Sequence, residues 1–257
     1  MSAGWDPAQY LRFAGERLRP ALDLLVQVPL PDPAQVVDLG CGAGNVTAML
    51  RRRWPQAEVV GIDGSAAMLA EARAVLPGCR FERADIAAWR PACPPELIFS
   101  NAALQWLPDH ARLLPRLLGL LAGGGVLAVQ MPAMHAAPLR RLQAEVAAGG
   151  PWAERLAGVA PARAILEAGE YWDLLRPACA SLDIWETTYL HALEGEDAVL
   201  QWALGTSLRP YADRLDGEER ARFLRAYAAA LRPHYPRRPD GTTLLPFRRL
   251  FLLARRE

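Results

Sequence analysis

The sequence contains no lysine: all 29 of its basic residues are arginine. That absence removes the phosphate-binding lysine of a Walker A loop, the Schiff-base or pyridoxal-phosphate lysine, and the strand lysine of protein kinases. Net charge is nearly absent too. Against 28 acidic residues the arginines leave +1, so no global field draws in nucleic acid or an anionic membrane, and any basic site must be local. The four cysteines (Cys41, Cys79, Cys93, Cys179) form no CxxC pair, and the four histidines (His110, His135, His191, His234) show no HExxH or other metal-ligand spacing. No metal is expected. Long apolar runs are also missing. The most apolar window, Leu117 to Met131, is interrupted by Gly123 to Gly125 and is too short to span a bilayer. The opening MSAGWDPAQY lacks a charged segment followed by an apolar one. A reduced, cytoplasmic protein without a membrane span is expected.

What is present is ample core material. The 257 residues are 52% hydrophobic, enough for one large domain or a domain with an embedded lobe. Asp6-Pro7 reads as a helix start, and Leu18, Leu22 and Leu25 follow at helical spacing before PLPDP at 29 to 33, which makes the first 28 residues a helical arm. Then VVDLG (36 to 40), a glycine turn and an apolar-faced stretch from Asn45 to Trp54 read as strand, turn and helix. EVVGID (58 to 63) is a second strand, followed by a helix capped by Ser65. Further strands are RFERAD (80 to 85), ELIFSN (96 to 101) and GVLAVQM (125 to 131), the last two separated by the helical stripe Leu113, Leu114, Leu117, Leu118 and Leu121. Such alternation predicts a parallel sheet with helices on both faces. After Pro132 come Ala-rich helical segments to about Arg176, a strand at 181 to 193, helix again from Gly195 to about Arg238, and a closing strand at 244 to 256.

Asp38-Leu39-Gly40-Cys41-Gly42-Ala43-Gly44 lies between a predicted strand and a helix, where glycines let backbone approach a ligand closely. A dinucleotide loop wants its third glycine where Asn45 stands; here it comes one residue early, at Gly44. That spacing and the preceding Asp38 favour S-adenosylmethionine, which has no pyrophosphate to hold. Asp63 ends the next strand, where a carboxylate can accept from a ribose diol. Asp85 with Ile86 follows the third strand, suited to an adenine amino group and ring. Asn101 ends the fourth strand, facing the methionine portion, with Gln105 and Trp106 near the sulfonium. Ligand groups at successive carboxyl ends follow the edge rule for open α/β sheets.

With these residues in view, the chain resembles class I S-adenosylmethionine-dependent methyltransferases and, more closely, the trans-aconitate 2-methyltransferase family. The closer likeness rests on W-D-P-x-x-Y-L-x-F (5 to 13), E-R-L-R-P-A (16 to 21), SNAALQWLPDH (100 to 110) and GVLAVQMP (125 to 132). It continues in YWDLL (171 to 175), DIWETTY (183 to 189), SLRPY (207 to 211) and PFRRLFLLARR (246 to 256). Two departures stand out: Ala43 where the family loop usually has proline, and AMHAAPLR (133 to 140) where it carries Asn-Trp and Glu-Pro-Ser/Thr-His segments. The resemblance implies a Rossmann-like, mostly parallel sheet of seven strands with the last antiparallel, in a single methyltransferase domain spanning 1–257. It has a lid at 1–28 and a helical insertion at 195–238 covering the acceptor site. It implies methyl transfer from S-adenosylmethionine to a carboxylate of trans-aconitate, with no metal, nucleic-acid or membrane partner.

A carboxylate is already ionised at neutral pH, so this reaction needs alignment and no general base. The cofactor set is Tyr10, Asp38, Gly40, Gly42, Gly44, Asp63, Asp85, Ile86 and Asn101, with Trp5 and Tyr10 closing the arm. A tricarboxylate must be held by cations, and arginine does this bidentately with a permanent charge. Arg209 leads, then Arg248, then Arg17 or Arg19, with Trp106 and Tyr171 as further acceptor contacts. Three alternatives stay open: another small carboxylic acid or a malonyl thioester as acceptor, a nicotinamide-dependent oxidoreductase, and a non-catalytic S-adenosylmethionine-binding module.

Overall fold

The computed structural model describes residues 14–159 and 165–257; Trp5 and Tyr10 of the expected arm lie outside the described residues. Helix α1 (Ala14–Gln27) is followed by β1 (Gln35–Leu39), α2 (Asn45–Arg53), β2 (Glu58–Asp63), α3 (Ala66–Val75), β3 (Arg80–Arg83) and β4 (Leu97–Asn101). After a 3₁₀ turn at Leu104–Trp106 come α4 (His110–Gly119) and β5 (Val126–Pro132). The seven strands run β3-β2-β1-β4-β5-β7-β6, where β6 is Cys179–Glu194 and β7 is Thr242–Arg256. The first five pair in parallel, with registers such as Val36↔Val59 and Val36↔Leu97, while β7 runs antiparallel to β5, placing Pro132 beside Arg249. The strand order reverses at β1, whose neighbours are β2 and β4, so its carboxyl end is the switch point of the sheet.

Local chemistry explains these elements. Val126 to Val129 are fully buried, as a strand covered on both faces must be, which is why the sequence reads there as an unbroken apolar run. Helix α3 starts because Ser65 Oγ accepts from the Met68 amide at 3.3 Å, satisfying one of the donors a helix start leaves open. Helix α4 carries its leucine stripe inward, with Leu113, Leu114, Leu117 and Leu118 all buried.

The chain divides into two compact units. The sheet unit comprises Gly15–Pro132, Ile165–Thr187 and Arg249–Glu257. It includes α7 (Ala168–Leu175) and a stack of Trp185 on Phe251, with centroids 4.9 Å apart. The described part of the other unit falls in 133–159 and 188–248. Its helices are α5 (Pro138–Gly149), α6 (Ala153–Leu156), α8 (Ala198–Leu204), α9 (Arg209–Ala212) and α10 (Gly217–Leu231), and its core is its own. Phe223, fully buried, meets the edge of Trp152 at a centroid distance of 5.3 Å and stacks with Tyr211 at 6.4 Å.

Phe223→Ala should therefore cost about 3–5 kcal/mol, as expected for removing a buried aromatic ring. Urea unfolding followed by tryptophan fluorescence checks it; a loss below roughly 1 kcal/mol would mean that the ring does not anchor this core.

Candidate functional site

The site grows from the turn after β1. Gly40, Gly42 and Gly44 adopt φ of +83°, +54° and +83°, a region open to glycine at little cost. Gly40 has a second constraint: a Cβ there would stand 2.2 Å from Ala103 Cβ, on the segment after β4, and 3.6 Å from Ile86 Cδ1. Around Gly42 the opposite holds, since nothing lies within 4 Å of the corresponding position. One glycine thus permits contact with the neighbouring loop, and the other leaves open space beside backbone. The turn is tied to β2 by its amides, with Gly40 and Cys41 both donating to the Ile62 carbonyl at 2.8 and 3.0 Å.

Asp63 completes the tie. Its Oδ2 accepts from the Gly42 amide at 2.9 Å and its Oδ1 from the Ser65 amide at 2.8 Å. A carboxylate offers about four lone-pair positions, so two remain for a ligand diol. Asp38 faces inward instead: it is buried, and its Oδ2 accepts from Thr47 Oγ1 at 2.6 Å. Burial pushes its pKa up to about 7, against the Thr47 hydrogen bond and with a contribution from the negative charge of Asp63. Burial, then Asp38 and Asp63, also pushes up the Cys41 thiol, so the loop cysteine is held protonated and is no nucleophile.

The other carboxyl ends add groups of a different kind. Strand β3 stops at Arg83, two residues short of the expected end, and Asp85 begins a turn in which its Oδ1 accepts from the Ala87 amide at 2.9 Å. Asn101 ends β4, and Ala102 follows at φ +53°, a strained conformation for a residue with a Cβ. Among the described residues, Asn101 Oδ1, Gln105 Oε1 and Gln130 Nε2 are sealed from solvent without a hydrogen-bond partner. Asn101 and Gln130 are register partners on β4 and β5. Buried orphans of this sort are costly unless a ligand or water meets them.

The sheet unit therefore brings together Asp38, Gly40, Gly42, Gly44, Asp63, Ile86 and Asn101, with Asp85 one residue before Ile86. Trp106 is 64% exposed. The remaining acceptor candidates are dispersed. Arg209 pairs with Asp213 at 3.3 Å, and Arg248 donates from Nε to the Ala133 carbonyl at 3.1 Å, both in the helical unit. Arg19, on α1, pairs with Asp23 at 3.9 Å. The side chain of Arg17 and all of Tyr10 lie outside the described residues. Tyr171 takes a different place from the one expected of an acceptor contact. It is fully buried in the sheet unit, with its hydroxyl on His110 Nδ1 and accepting from the Leu166 amide at 3.3 Å, while His110 Nε2 bonds the Leu104 carbonyl. It is a strut between the start of α4 and α7. Thr47 and Gln130 were missed by sequence reasoning, because each sits in a run that reads only as helix face or core strand.

Asp38 generates a pH signature. Its native carboxyl keeps a proton to about pH 7, whereas in the unfolded chain it ionises near 3.8. Between those values the native state binds the extra proton, so this group's contribution to stability is full below pH 4, falls as pH rises and is level above 7. Asp38→Asn should remove that slope and gain on the unmodified protein across the window. Urea unfolding at pH 5 and pH 8 measures it, and a difference unchanged between the two would show an ordinary carboxyl.

Comparisons with known proteins accord with this geometry. The family described as methyltransferase domain matches residues 36–125. Trans-aconitate 2-methyltransferase of Methylobacterium nodulans is 55% identical over 255 residues, covering 99% of both chains. Its namesake in Methylobacterium radiotolerans is 53% identical over 257 residues, again covering 99% of both. An S-adenosylmethionine dependent methyltransferase from Mesorhizobium loti shares the fold with a TM-score of 0.52 at 23% identity, over 95% of this chain and 100% of that one. With more than half of its residues shared from end to end, the chain belongs to the trans-aconitate 2-methyltransferase family.

Proposed function

We propose that this protein transfers the methyl group of S-adenosylmethionine to a carboxylate of trans-aconitate, leaving the monomethyl ester and S-adenosylhomocysteine. The observation that carries the reading is the 55% identity across 99% of the chain with an enzyme of that name. The residues fit the donor. Gly42 leaves space beside the backbone, and Asn101 stands at the carboxyl end of β4 for the methionine portion. Asp63 keeps acceptor capacity for the ribose diol, and Ile86 offers an apolar contact for the adenine beside Asp85. Gly40 and Gly44 shape the loop.

When bound, S-adenosylmethionine supplies an electrophilic methyl on a sulfonium; a carboxylate oxygen bonds to that carbon in line while the C–S electron pair returns to sulfur. No proton moves, so the chain's task is to align two partners and exclude water. Arginine suits the acceptor because its charge is permanent and its fork matches a carboxylate. We assign acceptor recognition to the helical insertion at 195–238 through Arg209, with Arg248, Arg17, Arg19 and Trp106 as further contacts. Tyr171 is left to its structural role. The acceptor is a dissolved small molecule; among the described residues no helix is long and apolar enough to cross a membrane. Four free thiols suit the cytoplasm.

The test is formation of S-adenosylhomocysteine with trans-aconitate, other di- and tricarboxylates, and a malonyl thioester. Turnover dependent on trans-aconitate is expected; turnover only with another acid would overturn the acceptor, and binding of NAD in place of S-adenosylmethionine would overturn the class. Asp63→Ala should weaken S-adenosylmethionine binding at least tenfold with little change in KM for trans-aconitate. Arg209→Ala should do the reverse, and equal loss of both affinities in that variant would remove Arg209 from the acceptor set.

A further inference from the structure

Between β3 and β4 runs a stretch, residues 84 to 96, that contains neither helix nor strand. Its first part carries Asp85 and Ile86, and Ile86 Cδ1 lies 3.6 Å from where a Cβ on Gly40 would stand, so the order of this stretch bears directly on the glycine turn. Its amides are held from within: Ala87 donates to Asp85 Oδ1 at 2.9 Å, and Ala88 and Trp89 donate to the Asp85 carbonyl at 3.0 and 2.7 Å. A single turn of this kind carries the cost of ordering without the repeated bonds of a helix. Its carbonyls need partners from elsewhere.

Arg116 supplies them. From the last turn of α4, its Nη1 donates to the Trp89 carbonyl at 2.7 Å and its Nη2 to the Ile86 carbonyl at 2.6 Å. These are the lengths of charge-assisted bonds, and two nitrogens of one planar group fix both the spacing and the direction of the carbonyls they hold. The helix that carries the guanidinium is anchored, since Leu113, Leu114, Leu117 and Leu118 are buried, and Trp89 at the far end of the turn is buried as well. Arg116 is itself half-buried, and burial together with the charge of Arg90 disfavours its charged form, with Asp85 acting the other way. The chain thus keeps a cation where burial opposes it, and what it gains there is order in a turn that no strand or helix holds.

We propose that Arg116 is a positioning residue for the methyl donor, acting through the turn at 85 to 89 to set the wall that receives the adenine. The role rests on the proposed function to the extent that Asp85 and Ile86 are taken as the adenine contacts. Its effect is confined to one end of the donor, because the segment after Asn101 is tied elsewhere, with the Ala102 amide donating to the Gln130 carbonyl at 2.9 Å. Loss of Arg116 is therefore a loss of donor affinity and not of turnover.

Calorimetric titration with S-adenosylhomocysteine and with methylthioadenosine, which keeps the adenine and ribose without the amino-acid end, tests it. Arg116→Met, which retains an unbranched stem and removes both bonds, should weaken the two ligands by the same factor, at least tenfold, and leave kcat at saturating S-adenosylmethionine within twofold. Arg116→Lys, with one nitrogen in place of two, should fall between. Hydrogen exchange should quicken at least tenfold at the Ala88 and Trp89 amides of Arg116→Met, with exchange in β1 and β4 unchanged. Full affinity in Arg116→Met overturns the proposal. So does weakening of S-adenosylhomocysteine alone, or exchange that quickens throughout the sheet, which marks a merely structural role. If Arg116→Met does not fold, Arg116→Lys decides by the same comparison of the two ligands. Ile86→Ala separates this role from the adenine assignment beneath it. Lost S-adenosylhomocysteine affinity in Ile86→Ala with full affinity in Arg116→Met leaves the adenine site and removes Arg116 from it, whereas full affinity in both removes the adenine assignment as well.

Discussion

The contact on which the site depends is the bond from the Gly42 amide to Asp63 Oδ2, at 2.9 Å. It joins the middle of the glycine turn to the end of the neighbouring strand, and the Gly40 and Cys41 amides secure the same junction through the Ile62 carbonyl. Without it the turn would have three left-handed residues and little to hold them, since glycine loses the most conformational freedom on ordering. With it, the open space at Gly42, the carboxylate of Asp63 and the close approach of Ala103 to Gly40 are set together. Asp38 reinforces the turn from below through Thr47, which is why a carboxyl so unfavourably buried is tolerated: it joins β1 to the first turn of α2 where a purely apolar pair would make no directional bond.

How much of this is legible before the structure depends on how local its cause is. Strand β2 ends at Asp63, as read, because the alternation of apolar residues and the Gly64 break both lie within the segment itself. The glycine turn is legible for the same reason. The end of β3 falls two residues before Asp85 because it is decided by pairing with β2, whose last partner is Asp63↔Arg83. Tyr171 is the clearest divergence. Its segment resembles the family, yet resemblance does not say which face of an eight-residue helix turns inward; His110, 61 positions away, decides that. The orphaned atoms of Asn101 and Gln130 are likewise invisible in sequence, since nothing local distinguishes a polar residue that is satisfied from one that is not.

The lysine-free composition has a consequence in the folded molecule. Long cationic side chains must be placed without the option of a titratable one, because arginine does not release its proton. Among the described residues several are given an acid or paired carbonyls: Arg80 has Glu58 and Glu82, Arg155 has Asp216 and Glu219, and Arg116 has two carbonyls. The packing of α5 on α10 is set by residues 88 positions apart, as in the Tyr227–Leu139 bond, so no reading of the 133–140 segment alone finds it.

A methyl donor also constrains which nucleophiles may stand near it. A thiolate is far more reactive toward a sulfonium methyl than a carboxylate is, and Cys41 lies inside the turn proposed to receive that donor. The same burial that raises Asp38 raises the Cys41 thiol, and the two aspartates add to it, so the strongest potential nucleophile in the loop stays protonated. An ester-forming methyl transfer needs no base, and the Cys41 thiol of the glycine turn is withdrawn by burial. Desolvation acting on charge thus keeps the thiol of the glycine turn out of a reaction whose nucleophile is a carboxylate.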